Sequence, residues 1–249
     1  VICSDKTGTQ ANYELTASAL VTPDGRYEVS GTGYSPDGKI SRGGSRVELA
    51  SETHGDAPLR ELLTCFRACN EAEVAQDEEG RWQVKGEPTE GALAALWLKS
   101  HLKKDWSAPL QTLPFDSDYK YMAVLIEGES ENVIYVKGAP ERLSELSGGE
   151  NAPDGSNDVD GASGQDSQDG QNGRDGKTGS GKNIDWSAEV TALAHEGLRP
   201  IPAARKTVPA SQRALSHEDL PGGLVLLGLA GILDPPRAEA VQAVHACGA

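Results

Sequence analysis

Apolar positions along the chain change their period several times, and each change marks an element. Tyr13 to Thr22 and Arg26 to Ser30 carry β-type residues on either side of Pro23-Asp24-Gly25. Proline presets φ and glycine accepts a positive value, so the three residues form a turn and the flanking runs are expected to pair as a hairpin. Gly33-Tyr34-Ser35-Pro36-Asp37-Gly38 is a second turn of the same kind. Pro58 to Cys69 then places Leu59, Leu62, Leu63, Phe66 and Cys69 at helical spacing, and Gly91 to Leu102 repeats the pattern with Leu93, Leu96, Trp97 and His101. Both segments are expected to be helices with one apolar face. His101 in such a face is expected to be structural or half-exposed, not a ligand.

From Gln111 the texture shifts. Tyr121 to Ile126 and Asn132 to Val136 are apolar runs of strand length separated by Glu127-Gly128-Glu129-Ser130-Glu131, which predicts an antiparallel hairpin. Ser147 to Asn183 is rich in Gly, Asp, Ser, Asn and Gln, with almost nothing apolar beyond Val159. Such a segment cannot bury enough surface to offset its ordering entropy, so 147–183 is expected to be a disordered surface insertion. Helical character resumes from Trp186 to Glu196. Pro200 and Pro202 remove two backbone donors from the run that follows, and are expected to force it to a sheet edge or break it. The apolar strand Leu224 to Leu229 leads on to Asp234-Pro235-Pro236-Arg237.

Composition narrows the classes of partner. The 249 residues carry 23 Lys and Arg against 38 Asp and Glu, and the net charge of −15 speaks against nucleic acid or an anionic membrane surface. A hydrophobic share of 37% suffices for one or two domains with a core. The cysteines are Cys3, Cys65, Cys69 and Cys247, which suggests a reduced compartment. Cys65 and Cys69 stand four apart on a predicted helix with no second ligand pair nearby, and read as buried thiols before metal ligands. No apolar run reaches the roughly 18 residues that a membrane span requires, and no signal segment opens the chain, so it is expected to be soluble as given. It begins inside a strand without Met and stops just after the amphipathic run Ala238 to Ala246, so both ends are expected to be cut from something longer.

The candidate chemistry begins at the first residues. Val1, Ile2 and Cys3 read as the end of a buried strand that feeds Ser4-Asp5-Lys6-Thr7-Gly8-Thr9. In isolation such a stretch can be a solvated turn. It can equally hold a carboxylate against a phosphate, since the glycine lets amides and hydroxyls face a bound phosphoryl group. Asp5 is then the nucleophile. A carboxylate that attacks phosphorus needs a metal to screen two anions from each other and donors for the phosphoryl oxygens, for which Lys6, Thr7 and Thr9 are suited. Gly176 to Lys182 has the spacing of a phosphate-binding P-loop, but Asn183 replaces the metal-binding Ser or Thr and no apolar strand precedes it. The Asp-Gly pairs of the insertion lack the spacing and closing Glu of an EF-hand.

Four stretches in order carry a resemblance. Cys3 to Thr9 resembles the phosphorylation loop of the P-type cation-transporting ATPases. Lys85-Gly86-Glu87-Pro88-Thr89-Glu90-Gly91-Ala92-Leu93 resembles that family's Gly-Asp-Pro-Thr-Glu segment with Glu87 for Asp, physically a helix start that caps and packs. Leu113-Pro114-Phe115-Asp116-Ser117-Asp118-Tyr119-Lys120-Tyr121-Met122 is similar to its Pro-Phe-x-Ser-x-x-Lys-x-Met signature, and Lys137-Gly138-Ala139-Pro140-Glu141 matches its Lys-Gly-Ala-Pro-Glu loop without a substitution. Gly197-Leu198-Arg199 stands where the family carries an Arg toward the phosphates, and Asp234 to Arg237 resembles its return strand. The texture of Pro23 to Tyr34 further resembles the calcium-pump-like subgroup.

The resemblance implies an α+β nucleotide-binding domain, mainly an antiparallel sheet flanked by helices, inserted into an incomplete Rossmann-like phosphorylation domain of the haloacid-dehalogenase type. Residues 1–12 would start the phosphorylation domain, 13–222 would form the nucleotide-binding domain, and 223–249 would return. It implies that ATP is held by Phe115, Lys120, Lys137, Gly138, Arg199 and Glu90, with Mg2+ at Asp5 and Thr7, and that the γ-phosphoryl passes to Asp5 with Lys6 and Thr7 assisting. In related phosphatases the residue two after the nucleophile is an Asp acting as acid and base; Thr7 in its place fits an intermediate that hydrolyses slowly. The implied partners are the remaining actuator, phosphorylation and membrane domains of a pump, at the cytoplasmic face of a membrane. Gln10, Ala11 and Tyr13 depart from the family after the loop, as do Ser117 and the prolines after Arg199. Segments for metal binding and dephosphorylation are absent from the sequence given, so this chain is expected to bind nucleotide without turning it over. A free-standing phosphohydrolase and a non-catalytic nucleotide-binding module are the alternatives.

Overall fold

A computed structural model describes residues 14–49, 56–103, 108–148 and 184–234. The Asp5 loop with Lys6 and Thr7, the Gly176 to Lys182 run, the run Ala238 to Ala246, Pro235 to Arg237 and all of the 147–183 insertion except Ser147 and Gly148 lie outside the described residues.

The expected first hairpin forms from β1 (Thr16–Thr22) and β2 (Gly25–Val29), closed at Gly25 with φ +129°. Two short strands follow, β3 (Ile40–Arg42) and β4 (Ser45–Arg46). Helix α1 (Ala57–Ala68) buries Leu59, Leu62, Leu63 and Phe66, the stripe the spacing predicts. A small hairpin of β5 (Glu73–Gln76) and β6 (Trp82–Lys85) leads into α2 (Pro88–Ser100), and His101 closes that helix, exposed and in the left-handed region. Strands β7 (Gln111–Asp116), β8 (Tyr121–Ile126) and β9 (Glu131–Gly138) run into the short helix α3 (Pro140–Leu146). Helix α4 (Trp186–His195), β10 (Leu198–Pro209), a 3-10 turn at His217–Asp219 and β11 (Val225–Leu233) complete the order.

Nine strands make one sheet in the order β4-β3-β2-β1-β11-β10-β9-β8-β7, antiparallel at every pairing. Both faces are covered. Met122, Val124 and Tyr135 point to the face on which α1 and α2 lie, whereas Tyr121, Ala123, Leu125, Ile134 and Val136 point to the face closed by α3. Residues of α4 cover the neighbouring part with Ala19, Val21 and Leu229. Burial on both faces is why β8 and β9 read as unbroken apolar runs instead of alternating ones. Cys65 on α1 and Cys69 just past its end are buried and form no disulfide among the described residues, with their thiols against the carbonyls of Val136 and Tyr135, so both are core residues.

β11 lies between β1 and β10 in the middle of the sheet, which runs to Leu233. The prolines after Arg199 do not break their strand. β10 pairs with β11 from Leu198 to Arg205 but with β9 only from Ala203 onward, so Pro200 and Pro202 occupy a stretch with one neighbour. Within an internal strand they sit at a local edge, where a missing donor costs no ladder bond on the open side. Among the described residues no helix is long and apolar enough to cross a membrane.

Candidate functional site

The divergence of β9 from β10 opens the site. Beyond the pair Ala203 with Lys137, β9 turns away through Gly138 and Ala139 into α3, while β10 carries Arg199, Pro200 and Ile201 along the far wall. The resulting cavity holds about 770 Å³ and is completed by the first turn of α2 and by the β7–β8 turn. That size lies within the usual range for small-molecule pockets.

Phe115 reaches the cavity because of a bulge. β7 pairs Leu113 with Ala123 and Asp116 with Tyr121, so Pro114 and Phe115 together oppose one residue, Met122. Proline at the bulge of an edge strand withdraws a donor that has no partner there, and the extra residue re-aims its neighbour. Phe115 is left 60% exposed on the cavity wall. An aromatic ring this exposed contributes little to the core and offers a flat apolar face to a ligand.

The turn that follows is held from several sides. Asp116 accepts the amide of Asp118 at 2.7 Å, and Lys120 sits at φ +57° with its amide on the Asp116 carbonyl at 2.6 Å. The Lys120 carbonyl in turn accepts the Ala139 amide at 2.9 Å. Gly138 permits this approach: a Cβ there would stand 2.6 Å from the Lys120 carbonyl oxygen and 2.7 Å from Tyr121 Cβ. Behind the turn, His217 stacks on Tyr119 with ring centres 3.6 Å apart, and its Nδ1 meets the Tyr121 hydroxyl at 2.6 Å.

Lys137 lies on the α1 and α2 side of β9, and its ammonium meets Glu90 Oε1 at 2.7 Å with side chains 8% and 13% exposed. The other carboxylate oxygen of Glu90 accepts the Glu71 amide at 3.2 Å, so both oxygens are engaged. Glu87 precedes the helix as its cap, accepting the Glu90 amide at 2.9 Å and the Thr89 hydroxyl at 2.9 Å. The capping role expected for this segment is thus met by Glu87, whereas Glu90 belongs to the cavity. Lys120 meets Glu141 at 3.3 Å, an exposed pair at 55% and 59%. Glu141 is held below the ordinary glutamate range, first by its own backbone amide and then by Lys120. Arg199 makes no ion pair among the described residues.

Phe115, Lys120, Lys137, Gly138, Arg199 and Glu90 therefore come together around one cavity, although they lie on α2, the β7–β8 turn, β9 and β10. Glu71, Glu141 and Pro200 line it as well, although the sequence names none of them as a ligand-binding residue and gives Glu141 only as the close of the Lys-Gly-Ala-Pro-Glu run. The cavity carries Glu71, Glu87, Glu90 and Glu141 against Lys120, Lys137 and Arg199. Such a balance does not neutralise a polyphosphate. It suits a ligand with a flat apolar part and a limited negative charge beside it. Among the described residues no three His, Cys, Asp or Glu side chains gather to hold a metal.

An antiparallel sheet flanked by helices, with this cavity at its splayed strand ends, defines an α+β domain. Residues 58–148, which contribute all of the lining except the β10 wall, match the P-type ATPase cytoplasmic domain N. Along 99% of its length the chain is 35% identical to the cation-transporting ATPase pma1 of Synechocystis and 29% identical to the calcium-transporting ATPase of Bacillus subtilis, covering 25% and 26% of those proteins. It is 34% identical to the rat calcium-transporting ATPase type 2C member 2, again over 99% of this chain and 23% of the relative. The chain belongs to the P-type cation-transporting ATPase family, and spans about a quarter of the length of the curated relatives it matches.

Proposed function

We propose that this chain is the ATP-binding region of a cation-transporting P-type ATPase, in which the γ-phosphoryl of ATP passes to Asp5 and the acyl phosphate drives ion movement. The observation that carries the reading is the cavity that brings an exposed Phe115 together with Lys120, Lys137 and Arg199. Adenine stacks on Phe115, Lys120 and Arg199 face the phosphate side, and the Glu90–Lys137 pair gives the base a rigid polar border. The excess of carboxylates fits a domain that grips the nucleoside end and leaves the terminal phosphate to another centre. Asp5 and Thr7 would hold Mg2+, which supplies charge screening between the carboxylate and the incoming phosphoryl group. On this reading the sheet domain is an insertion into a phosphorylation domain of the haloacid-dehalogenase type at the cytoplasmic face of a membrane, and the chain alone binds nucleotide without turnover.

The test is calorimetric titration of ATP into the chain and into Phe115→Ala. Loss of base stacking of about 1–3 kcal/mol weakens binding at least five-fold in the variant. Identical titration curves for the two proteins would remove the site assignment. In the full pump containing this chain, radiolabel from the γ-position of ATP should be trapped by acid quenching and lost in Asp5→Asn.

A further inference from the structure

Lys120 and Lys137 are paired in different ways. The Lys137 pair with Glu90 is nearly buried and has its second carboxylate oxygen tied to a backbone amide, so it does not open cheaply. The Lys120 pair with Glu141 is longer, at 3.3 Å, and more than half exposed on both sides. An exposed pair of this kind contributes little to stability and exchanges readily for another anion. Both partners line the cavity, and Glu141 carries its charge at neutral pH as an ordinary carboxylate does. An anionic ligand that takes Lys120 must therefore displace Glu141 from it.

We propose that Glu141 is a built-in competitor for the phosphates of the nucleotide: it occupies Lys120 in the empty cavity and so lowers the share of affinity that phosphate charge can contribute. This rests on the nucleotide reading above and assigns a positioning role to a residue that acts through Lys120. In a domain that must release ADP after each transfer, such a competitor keeps phosphate-derived affinity low while leaving recognition of the base untouched.

The experiment compares ATP and adenosine as ligands of the wild-type chain, Glu141→Gln, Lys120→Gln and the double variant, at two salt concentrations. Glutamine keeps the shape and removes the charge. Glu141→Gln should bind ATP about two- to five-fold more tightly than wild type, with adenosine affinity unchanged and a steeper loss of ATP affinity with added salt. Against Lys120→Gln alone, the double variant should show no gain in ATP affinity. ATP and adenosine affinities that move together, or an ATP gain that survives removal of Lys120, would overturn the competitor role while leaving the nucleotide site intact. A wild-type chain that binds neither ligand would overturn the nucleotide reading and this inference with it. Thermal unfolding without ligand separates a damaged fold from a changed site, since loss of an exposed pair leaves the unfolding midpoint nearly unchanged.

Discussion

Lys137 Nζ lies 2.7 Å from Glu90 Oε1, joining residues 47 positions apart on β9 and α2. Each makes the burial of the other possible: an ammonium and a carboxylate this far removed from water carry desolvation costs that only mutual pairing offsets. Removing one partner strands the other. Glu90→Ala and Lys137→Ala should each destabilise the chain by about 3 kcal/mol, whereas the double variant should cost clearly less than the sum. Urea unfolding of the four proteins gives the coupling. Additive losses would show that the pair carries no joint energy, and that Glu90 matters through its bond to the Glu71 amide.

Gly138 tests how tightly the site is tied to the sheet. Its φ is not positive, so backbone conformation does not require glycine there; the requirement is space against the Lys120 carbonyl, Tyr121 Cβ and Leu143 Cδ1. Gly138→Ala must part the β7–β8 turn from the start of α3, which should cost about 1–3 kcal/mol. The same movement shifts Lys120, so binding of ATP should weaken by more than binding of adenosine. Equal stability of variant and wild type in urea would mean that the turn yields freely, and the assignment of Lys120 to a fixed position would fail.

The sequence shows the helices and long strands because each has a full period to display. The stripe Leu59, Leu62, Leu63 and Phe66 predicts α1, and the apolar runs from Tyr121 and Asn132 predict β8 and β9. What escapes is too short or too polar to have a period. β4 has two residues, α3 has seven, and the half-exposed β5 and β6 present only Val74, Trp82 and Val84 to a neighbour. For the prolines of β10 the sequence leaves a sheet edge and a broken strand both open, because only the departure of β9 before Ala203 shows that one side of the strand has no neighbour there. The site residues named by resemblance do meet, yet their spacing gives no hint of who pairs with whom. Glu90 reads as a helix-start residue, and only the approach of β9 turns it into the partner of a buried lysine.

The alkaline limb of stability should belong largely to tyrosines. Burial pushes the Tyr135 phenol far above the tyrosine range, helped by its hydrogen bond of 2.7 Å to the Glu61 carboxylate. Burial raises Tyr27, Tyr34 and Tyr121 in the same direction, less strongly. A group whose folded-state pKa is raised holds its proton in the native state after the unfolded chain has lost it. Its contribution is complete below the unfolded value of about 10 and is lost as pH climbs beyond it. Lys99 works the other way, because burial lowers its pKa and stability gained from that group rises with pH below about 10.5. Tyrosines and Lys99 therefore pull in opposite directions across the alkaline range, and burial of the Cys65 thiol, which pushes its pKa up, adds to the decline. Tyr135→Phe should cost about 1 kcal/mol at pH 8 through the lost hydrogen bond to Glu61, which keeps Arg205 at 3.2 Å. Above pH 10 it should flatten the decline by up to about 1.4 kcal/mol per pH unit, one proton's worth. Urea titrations from pH 8 to about pH 11 supply both slopes. If the decline in Tyr135→Phe runs parallel to wild type, the Tyr135 phenol is not among the groups that carry it.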